Sequence, residues 1–118
     1  MNTTSTNATA LRTVSGATFD SEVLTASYQQ TVVVDFSAEW CGPCRMLAPV
    51  LGALAAEPDL NATIVTVDAD THPDLLARYS IRGLPTLLFF RRGQVVDQLV
   101  GLTSGATVRG KIHAIAAR

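Results

Sequence analysis

Charged residues are scarce in this sequence, and the two signs nearly cancel. They make up 16% of the chain and leave a formal net charge of −1. This balance provides no basic stripe for nucleic acid and no polybasic anchor for acidic lipid. No apolar run reaches membrane-spanning length, and the first residues lack the basic and apolar regions of a secretory signal. We therefore expect no nucleic-acid or membrane partner and a cytoplasmic location.

Cysteine is equally scarce, with only Cys41 and Cys44 in the chain. Because 47% of the residues are hydrophobic, a domain of this size folds without stapling disulfides. In a reducing compartment, a close cysteine pair is more often catalytic or metal-binding than structural. A closed zinc site needs about four ligands, and only His72 and His113 offer further soft ligands. The sequence thus favours a catalytic pair over a metal site.

The chain length fits a single domain preceded by a short tail. Residues 1–10 consist of Met, Asn, Thr, Ser and Ala, which offer little apolar surface to bury. Such a segment is typical of a flexible terminus. We therefore predict a flexible tail over residues 1–10 and one folded domain over residues 11–118.

Continuous β-branched segments predict buried strands, and apolar residues three and four apart predict helices. The predicted strands lie at about 11–14, Thr31–Ser37, 64–68, Thr86–Arg91 and Gln94–Val100. Helices are predicted at about 19–27, 41–57 and 104–117, with a short one capped by Thr71 or His72. The early alternation implies parallel crossovers, and Arg92-Gly93 fits a hairpin turn. The predicted architecture is an α/β fold, with a central mixed five-stranded sheet and four helices on its two faces.

Cys41 and Cys44 fall where a predicted buried strand ends and a helix begins. The first backbone N–H groups of a helix are unpaired, and its dipole is positive at that end. A thiolate at Cys41 is stabilised there, which makes this sulfur nucleophilic near neutral pH. One helical turn places Cys44 close to the Cα separation of about 5.5 Å that disulfides prefer. Pro43 fixes the first turn and leaves the remaining N–H groups to the sulfurs.

The two cysteines belong to the motif WCGPC at residues 40–44. Other segments accompany this motif in a fixed order and spacing: the preceding VVDFSAE, the following Arg45 and Pro49, the segment IRGLPT and the glycine Gly101. From about Thr31 to the C-terminus, this set resembles the thioredoxin family. The resemblance implies the thioredoxin fold and a protein-disulfide reductase, in which Cys41 attacks a substrate disulfide and Cys44 resolves the mixed disulfide.

The resemblance also implies the partners of the reaction. The substrates are disulfide-containing proteins, the chain acts as a monomer, and its redox group is the Cys41–Cys44 disulfide, with no bound cofactor. A thioredoxin reductase that uses NADPH and a flavin recharges the pair. Gly42-Pro43 is similar to the dipeptide of reducing members, whereas oxidant relatives place a histidine second. Two alternatives remain, a disulfide oxidase or isomerase and a binding scaffold without turnover.

Asp35 is the one charged residue in an otherwise apolar strand. A carboxylate buried near a thiol has a raised pKa and takes or gives a proton there. By resemblance, Asp35 is the buried aspartate that helps deprotonate Cys44; the alternative is a strand-end carboxylate that reaches water. Two residues depart from the family pattern, because Thr66 stands where a lysine is common and Ser37 where a tryptophan is common.

Pro85 precedes an apolar strand. From the sequence alone a cis peptide bond is improbable, since only about 5–6% of X-Pro bonds adopt it. The resemblance implies the opposite: a cis proline that faces the cysteines and exposes the preceding backbone to an extended substrate. It also implies a flat apolar docking surface formed by Trp40, Gly83, Leu84, Gly101 and Leu102. The alternative is that these are ordinary turn glycines, core leucines and a core tryptophan.

Overall fold

The structure, a computed structural model, describes residues 11–118. The predicted flexible tail at residues 1–10 lies outside the described residues. The described strands are β1 (Arg12–Thr13), β2 (Thr31–Ser37), β3 (Ala62–Asp68), β4 (Thr86–Arg91) and β5 (Gln94–Val100). Between β1 and β2 lies the helical segment α1, a π-helical turn at Asp20–Thr25 followed by a 3₁₀ turn at Ala26–Tyr28. The remaining helices are α2 (Gly42–Ala55), α3 (Pro73–Arg78) and α4 (Gly105–Ala116).

The five strands form one sheet in the order β1-β3-β2-β4-β5. Strand β3 pairs in parallel with both β1 and β2, whereas β4 is antiparallel to β2 and to β5. The predicted mixed sheet of five strands with four helical segments is therefore confirmed. In this register Asp35 lies opposite Thr66 on one side and Leu87 on the other.

Side chains of the central strand β2 alternate between two apolar layers, as the period-2 geometry of a strand requires. Val32, Val34 and Phe36 pack with residues of α1 and α3. Val33 points to the opposite side and packs with leucines and isoleucines of α2 and α4. We call these sides the α1/α3 face and the α2/α4 face. Because α2 starts beyond the carboxyl end of β2 and runs back across the sheet, its first turn lies above that end.

Most element bounds agree with the sequence predictions, and the exceptions have local causes. Strands β2, β4 and β5 have the predicted ends, while β3 begins two residues earlier, at Ala62. His72 occupies the N-cap position of α3 but makes no capping hydrogen bond. Its Nδ1 instead lies 2.9 Å from Thr71 Oγ1 and 3.1 Å from the Asp68 carbonyl oxygen. His72, one of the two predicted capping residues, is therefore the N-cap of α3, although its side chain does not bind the helix terminus.

The hairpin between β4 and β5 turns at Arg92 and Gly93, as predicted. Both residues have positive φ angles, 54° and 78°, as a two-residue turn matched to the twist of the strands requires. The turn is tied to the 3₁₀ turn of α1, because the Arg92 backbone N–H donates to the Ser27 carbonyl oxygen at 2.9 Å. No helix among residues 11–118 is long and apolar enough to cross a membrane.

Candidate active site

Cys41 and Cys44 lie at the first turn of α2, directly after the loop that leaves β2. Cys41 is the N-cap residue, with extended φ and ψ angles of −87° and 112°. Its Sγ accepts a hydrogen bond from the Cys44 backbone N–H at 3.3 Å. The two sulfurs form a disulfide across a Cα separation of 5.2 Å. The helix terminus thus directs a backbone donor and the positive end of its dipole at the Cys41 sulfur.

The two cysteines face different surroundings. Cys41 is 6% exposed and Cys44 only 1%. Cys41 borders an apolar groove of about 290 Å³ on the molecular surface. Cys44 borders a separate cavity of about 350 Å³, which we call the rear cavity. A partner that approaches through the groove therefore meets the Cys41 sulfur first.

Residues from three parts of the chain line the apolar groove. They are Trp40, Cys41, Leu76, Ile81, Arg82, Gly83 and Leu84. Leu84 also packs against the small buried cluster of Ala38, Cys41 and Cys44. The Leu84-Pro85 peptide bond is cis, as the resemblance implies. The structure thus brings Trp40, Gly83 and Leu84 together beside Cys41.

Gly101 and Leu102 do not line this groove but lie near it. The Gly101 backbone N–H donates to the Pro85 carbonyl oxygen at 2.8 Å. Gly101 has a φ angle of 92°, a conformation that strongly favours glycine. Leu102 is 51% exposed. Of the predicted docking residues, Trp40, Gly83 and Leu84 therefore line the groove, and Gly101 is joined to it through its hydrogen bond to Pro85.

Trp40 is a surface residue and does not belong to the core. Its side chain is 67% exposed, and the indole Nε1 donates to the Asp70 carboxylate oxygens at 3.1 and 3.0 Å. Asp70 and Leu76 were not predicted to lie at this site, because their positions depend on tertiary contacts between segments 30 or more residues apart. Ile81 belongs to the segment IRGLPT that carries the resemblance, but its place in the groove was not predicted.

Asp35 is buried beneath the first turn of α2. Val33 of β2 and Leu47 of α2 belong to the same packed cluster. Asp35 lies two residues further along the strand, a distance of about 7 Å. Cys44 lies about one helical turn, or about 5.4 Å, from Leu47 in the same direction, so Asp35 and Cys44 are neighbours across the same interface. The Asp35 side chain is 1% exposed, and its Oδ1 has no hydrogen-bond partner among the described residues. This burial raises the pKa of Asp35 from 3.8 to about 7, because the charged form loses its hydration.

The rear cavity contains both departures from the family pattern. Its lining residues are Thr13, Ser37, Ala38, Glu39, Cys44, Arg45, Ala48, Thr66 and Asp68. Thr66 does not contact the Asp35 carboxylate with its hydroxyl, because Thr66 Oγ1 donates to the Asp35 backbone oxygen at 3.0 Å. Small side chains at Ser37 and Thr66 thus leave open space beside the buried sulfur.

No metal centre accompanies the cysteines in the described part of the chain. Within residues 11–118, no group of three or more His, Cys, Asp or Glu side chains is arranged to hold a metal ion. The two cysteine sulfurs are bonded to each other, so the redox group of this site is a disulfide.

Comparisons with known proteins agree on one family. The family model described as Thioredoxin matches residues 10–114. Thioredoxin 1 of Synechococcus elongatus is 44% identical over 95 residues, which cover 80% of this chain and 87% of the relative. A thioredoxin of Staphylococcus aureus is 45% identical over 92 residues, covering 78% and 85%. The solved structure of a mutant thioredoxin from Halobacterium salinarum NRC-1 superposes with a TM-score of 0.79, at 35% identity and 90% coverage of both chains.

These similarities coincide with the site geometry. Relatives of 44% and 45% identity are thioredoxins, and the paired sulfurs of Cys41 and Cys44 supply the redox-active disulfide on which the chemistry of that family rests. The chain is a thiol–disulfide oxidoreductase that performs dithiol–disulfide exchange. It belongs to the thioredoxin family.

Proposed function

We propose that this chain reduces disulfides in other proteins, with Cys41 as the attacking sulfur and Cys44 as the resolving sulfur. The Cys41 thiolate attacks one sulfur of the substrate disulfide, forms a mixed disulfide and releases the second substrate sulfur as a thiolate, which takes a proton. Cys44 then loses its proton and attacks Cys41 Sγ. This step releases the remaining substrate sulfur and forms the Cys41–Cys44 disulfide. Two electrons pass from the chain to the substrate.

The unequal surroundings of the two sulfurs are the observation that carries this assignment. Cys41 occupies the N-cap of α2 and borders the apolar groove, whereas Cys44 is 1% exposed. An extended substrate has access to Cys41 alone. Cys44 is held one turn away at a Cα separation of 5.2 Å, and it needs no large movement to attack the mixed disulfide.

Asp35 accepts the proton that Cys44 releases in the second step. Its carboxylate lies beneath the same helical turn, and its pKa of about 7 leaves it partly ionised at neutral pH. An acceptor with a pKa near the working pH serves proton transfer best. The rear cavity beside Cys44 offers solvent a path by which the proton leaves.

The substrate segment binds across the apolar groove and the adjoining patch at Gly101 and Leu102. Exposed apolar side chains around a reactive group are typical of an interaction surface, and Trp40 supplies a large ring beside Cys41. Gly42 and Pro43 set the redox poise of the pair. Gly83 and Leu84 precede the cis proline and offer their backbone to an extended chain.

The resulting disulfide is recharged by a thioredoxin reductase that takes electrons from NADPH through a flavin. Thioredoxin relatives of 44% and 45% identity support this source of electrons. The chain acts in the cytoplasm as a monomer. The match of the family model to residues 10–114 supports one catalytic domain over residues 11–118, preceded by a tail at residues 1–10.

Serine variants of the two cysteines test the roles separately. In an insulin-reduction assay coupled to NADPH and a thioredoxin reductase, Cys41→Ser should lose all activity above background. Cys44→Ser should also stop turnover, but it should accumulate a mixed disulfide detectable by mass spectrometry in non-reducing conditions. The double variant gives the baseline for both measurements.

The outcomes distinguish the assignment from its alternatives. If the Cys41→Ser variant reduced insulin, or trapped a mixed disulfide on Cys44, then Cys44 rather than Cys41 would be the attacking sulfur. Substrate capture by the double variant as strong as by the unaltered chain would favour a scaffold without turnover. If, in a glutathione redox buffer, the chain oxidised reduced substrates faster than it reduced oxidised ones, the result would favour a disulfide oxidase.

A further inference from the structure

A second cavity lies at the end of the sheet opposite the cysteines. It has a volume of about 640 Å³, and we call it the arginine cavity. Its lining residues are Gln29, Gln30, Thr31, Asn61, Arg91, Arg92, Gln94, Val96, Ile115, Ala116 and Arg118. Thr31 begins β2, the strand whose other end leads to Cys41. Seven strand residues span roughly 20 Å, so a ligand in this cavity does not touch the disulfide.

Three arginines supply the charge of the cavity. Arg91 is held in place, because its Nη1 donates to the Ser27 carbonyl oxygen at 2.7 Å. Arg92 stands in the hairpin turn, and its backbone N–H binds the same oxygen. Arg118 approaches from the end of α4. Two segments, the β4–β5 hairpin and the end of α4, thus place three cationic residues around one space.

These arginines have no carboxylate partner in the part of the chain that the structure describes. The observed ion pairs involve other cations: Arg12, Arg78, Arg109 and Lys111. The cavity lining itself contains no Asp or Glu. Residues 1–10 also contain neither, so no acidic side chain of the tail neutralises the cluster.

Two acidic side chains close in sequence to the lining residues bind other cations. Asp97 follows the lining residue Val96 and accepts a bond from Lys111 Nζ at 3.0 Å. Glu57 binds Arg109 through two nitrogens, at 3.1 and 2.7 Å. Each carboxylate thus has a hydrogen-bonded cation of its own. Arg118 also lies near enough to Asp97 to help lower the pKa of that carboxyl, so Asp97 offsets part of the Arg118 charge. Arg91 and Arg92 take part in none of the ion pairs observed among residues 11–118.

The rest of the lining suits an anion that carries a larger polar body. Amide side chains come from Gln29, Gln30, Asn61 and Gln94, and they can donate and accept hydrogen bonds. Val96 and Ile115 provide an apolar floor. The volume falls within the range of about 300–1,000 Å³ usual for small-molecule sites. The guanidinium fork matches the oxygens of a phosphate in a bidentate manner.

We propose that the arginine cavity binds a small molecule with an oligophosphate group. The shared chemistry is a chain of phosphates held by two or three guanidinium groups. It comes from one of two sources, a nucleoside polyphosphate or an inorganic polyphosphate. In a nucleoside polyphosphate, the nucleoside would be held by the amide side chains and the apolar floor of the cavity.

Titration of the folded, oxidised protein with ATP and, separately, with inorganic tripolyphosphate tests the proposal. Binding is measured by calorimetry and by backbone amide shifts at low ionic strength, because salt screens such contacts. Arg92→Gln and Arg118→Gln should each weaken binding about tenfold, as expected for the loss of a hydrogen bond to a charged group. Arg91→Gln should have a similar effect, with circular dichroism to confirm that the hairpin remains folded. The matched control is Arg12→Gln, which removes the same charge at β1 and should change affinity less than twofold.

Saturable binding of either probe, with amide shifts at residues 29–31, 91–94 and 115–118, supports the site. A tenfold preference for ATP assigns the nucleoside source, and equal affinities assign the inorganic chain. Three outcomes overturn the proposal: no saturable binding at millimolar probe, equal weakening by Arg12→Gln, or shifts confined to residues 40–45 and 81–85. Insulin reduction by the Arg92→Gln and Arg118→Gln variants should remain unchanged, so this test is independent of the proposed disulfide chemistry.

Discussion

The two faces of strand β2 carry different kinds of side chain, although they share one backbone. On the α1/α3 face, Val32, Val34 and Phe36 are fully buried in an apolar layer. On the α2/α4 face, Val33 is followed by the buried carboxylate of Asp35 and then by Ser37 at the rear cavity. Alternation along a strand separates these layers at every second residue. One face stabilises the fold, and the other keeps a polar group and open space beside the sulfurs.

Aromatic packing emphasises the contrast. Phe90 lies 5.9 Å from Phe19 and 5.4 Å from Tyr79, measured between ring centroids, and both contacts are edge-to-face. All three rings belong to the α1/α3 face. Phe89, the residue before Phe90 in β4, points to the α2/α4 face, where it packs among aliphatic residues. The chain thus offers two adjacent, fully buried phenylalanines, one on each face, for a direct comparison of stability.

The largest expected effect is on the free energy of unfolding of Phe90→Ala. Replacing a buried phenylalanine by alanine costs about 3–5 kcal/mol, and the aromatic contacts of Phe90 add to the loss. We expect about 5 kcal/mol for Phe90→Ala and about 1 kcal/mol less for the matched variant Phe89→Ala, measured by urea unfolding. Phe90→Leu and Phe89→Leu allow the same comparison with a smaller loss in the free energy of unfolding. A larger loss at Phe89 would place the stabilising layer on the α2/α4 face.

The second effect concerns the pH dependence of stability, which Asp35 should dominate. Its pKa is 3.8 in the unfolded chain and about 7 in the folded one, so the folded state binds the proton more tightly. The contribution of Asp35 to stability is therefore largest below pH 3.8 and is lost as the pH rises through about 7. At about 1.4 kcal/mol per pKa unit, the total loss approaches about 4 kcal/mol. Asp35→Asn should remove this decline in urea unfolding measured between pH 4 and pH 8.

A matched carboxylate separates this effect from a general loss of negative charge. Asp59→Asn changes an exposed position and should leave the decline with pH unchanged. Asp35→Asn should also slow release of the mixed disulfide and flatten the pH profile of that step. A variant that keeps the decline with pH would show that Asp35 reaches water in solution, which was the alternative considered from the sequence.

The smallest expected effect tests the hydroxyl that borders the rear cavity. Thr66→Val keeps the side-chain volume but removes the bond from Thr66 Oγ1 to the Asp35 backbone oxygen. A single hydrogen bond of this kind contributes about 1 kcal/mol. We expect a loss of that size in urea unfolding, with little change in the rate of insulin reduction. A change in rate much larger than the change in stability would give the hydroxyl a part in the proton transfer.

The sequence predicts the sheet well because the strands are locally distinctive. Thr31–Ser37 and Thr86–Arg91 are mostly apolar segments, and such segments end where polar or turn residues begin. The hairpin followed from Arg92-Gly93 for the same reason. Helix α1 was predicted only as a helix, and its π-helical turn was not foreseen. A single π turn depends on how the segment packs, and periodicity does not encode that packing.

The site was predictable only as far as its local geometry extends. The predicted Cα separation of about 5.5 Å and the observed 5.2 Å agree, because one helical turn fixes that distance. The bond between Trp40 and Asp70 and the unpartnered Oδ1 of Asp35 were not predictable. They depend on side chains that distant segments bring together. The arginine cavity was also not predictable from the sequence, because Arg91 and Arg118 are 27 positions apart.

The anchored indole of Trp40 has a practical consequence. It is the single tryptophan of the chain, so all indole emission originates next to the Cys41 sulfur. Opening the disulfide or seating a client protein changes the surroundings of that one fluorophore. A stopped-flow fluorimeter can therefore record successive redox events on the unlabelled protein, without a dye and without a second tryptophan to subtract.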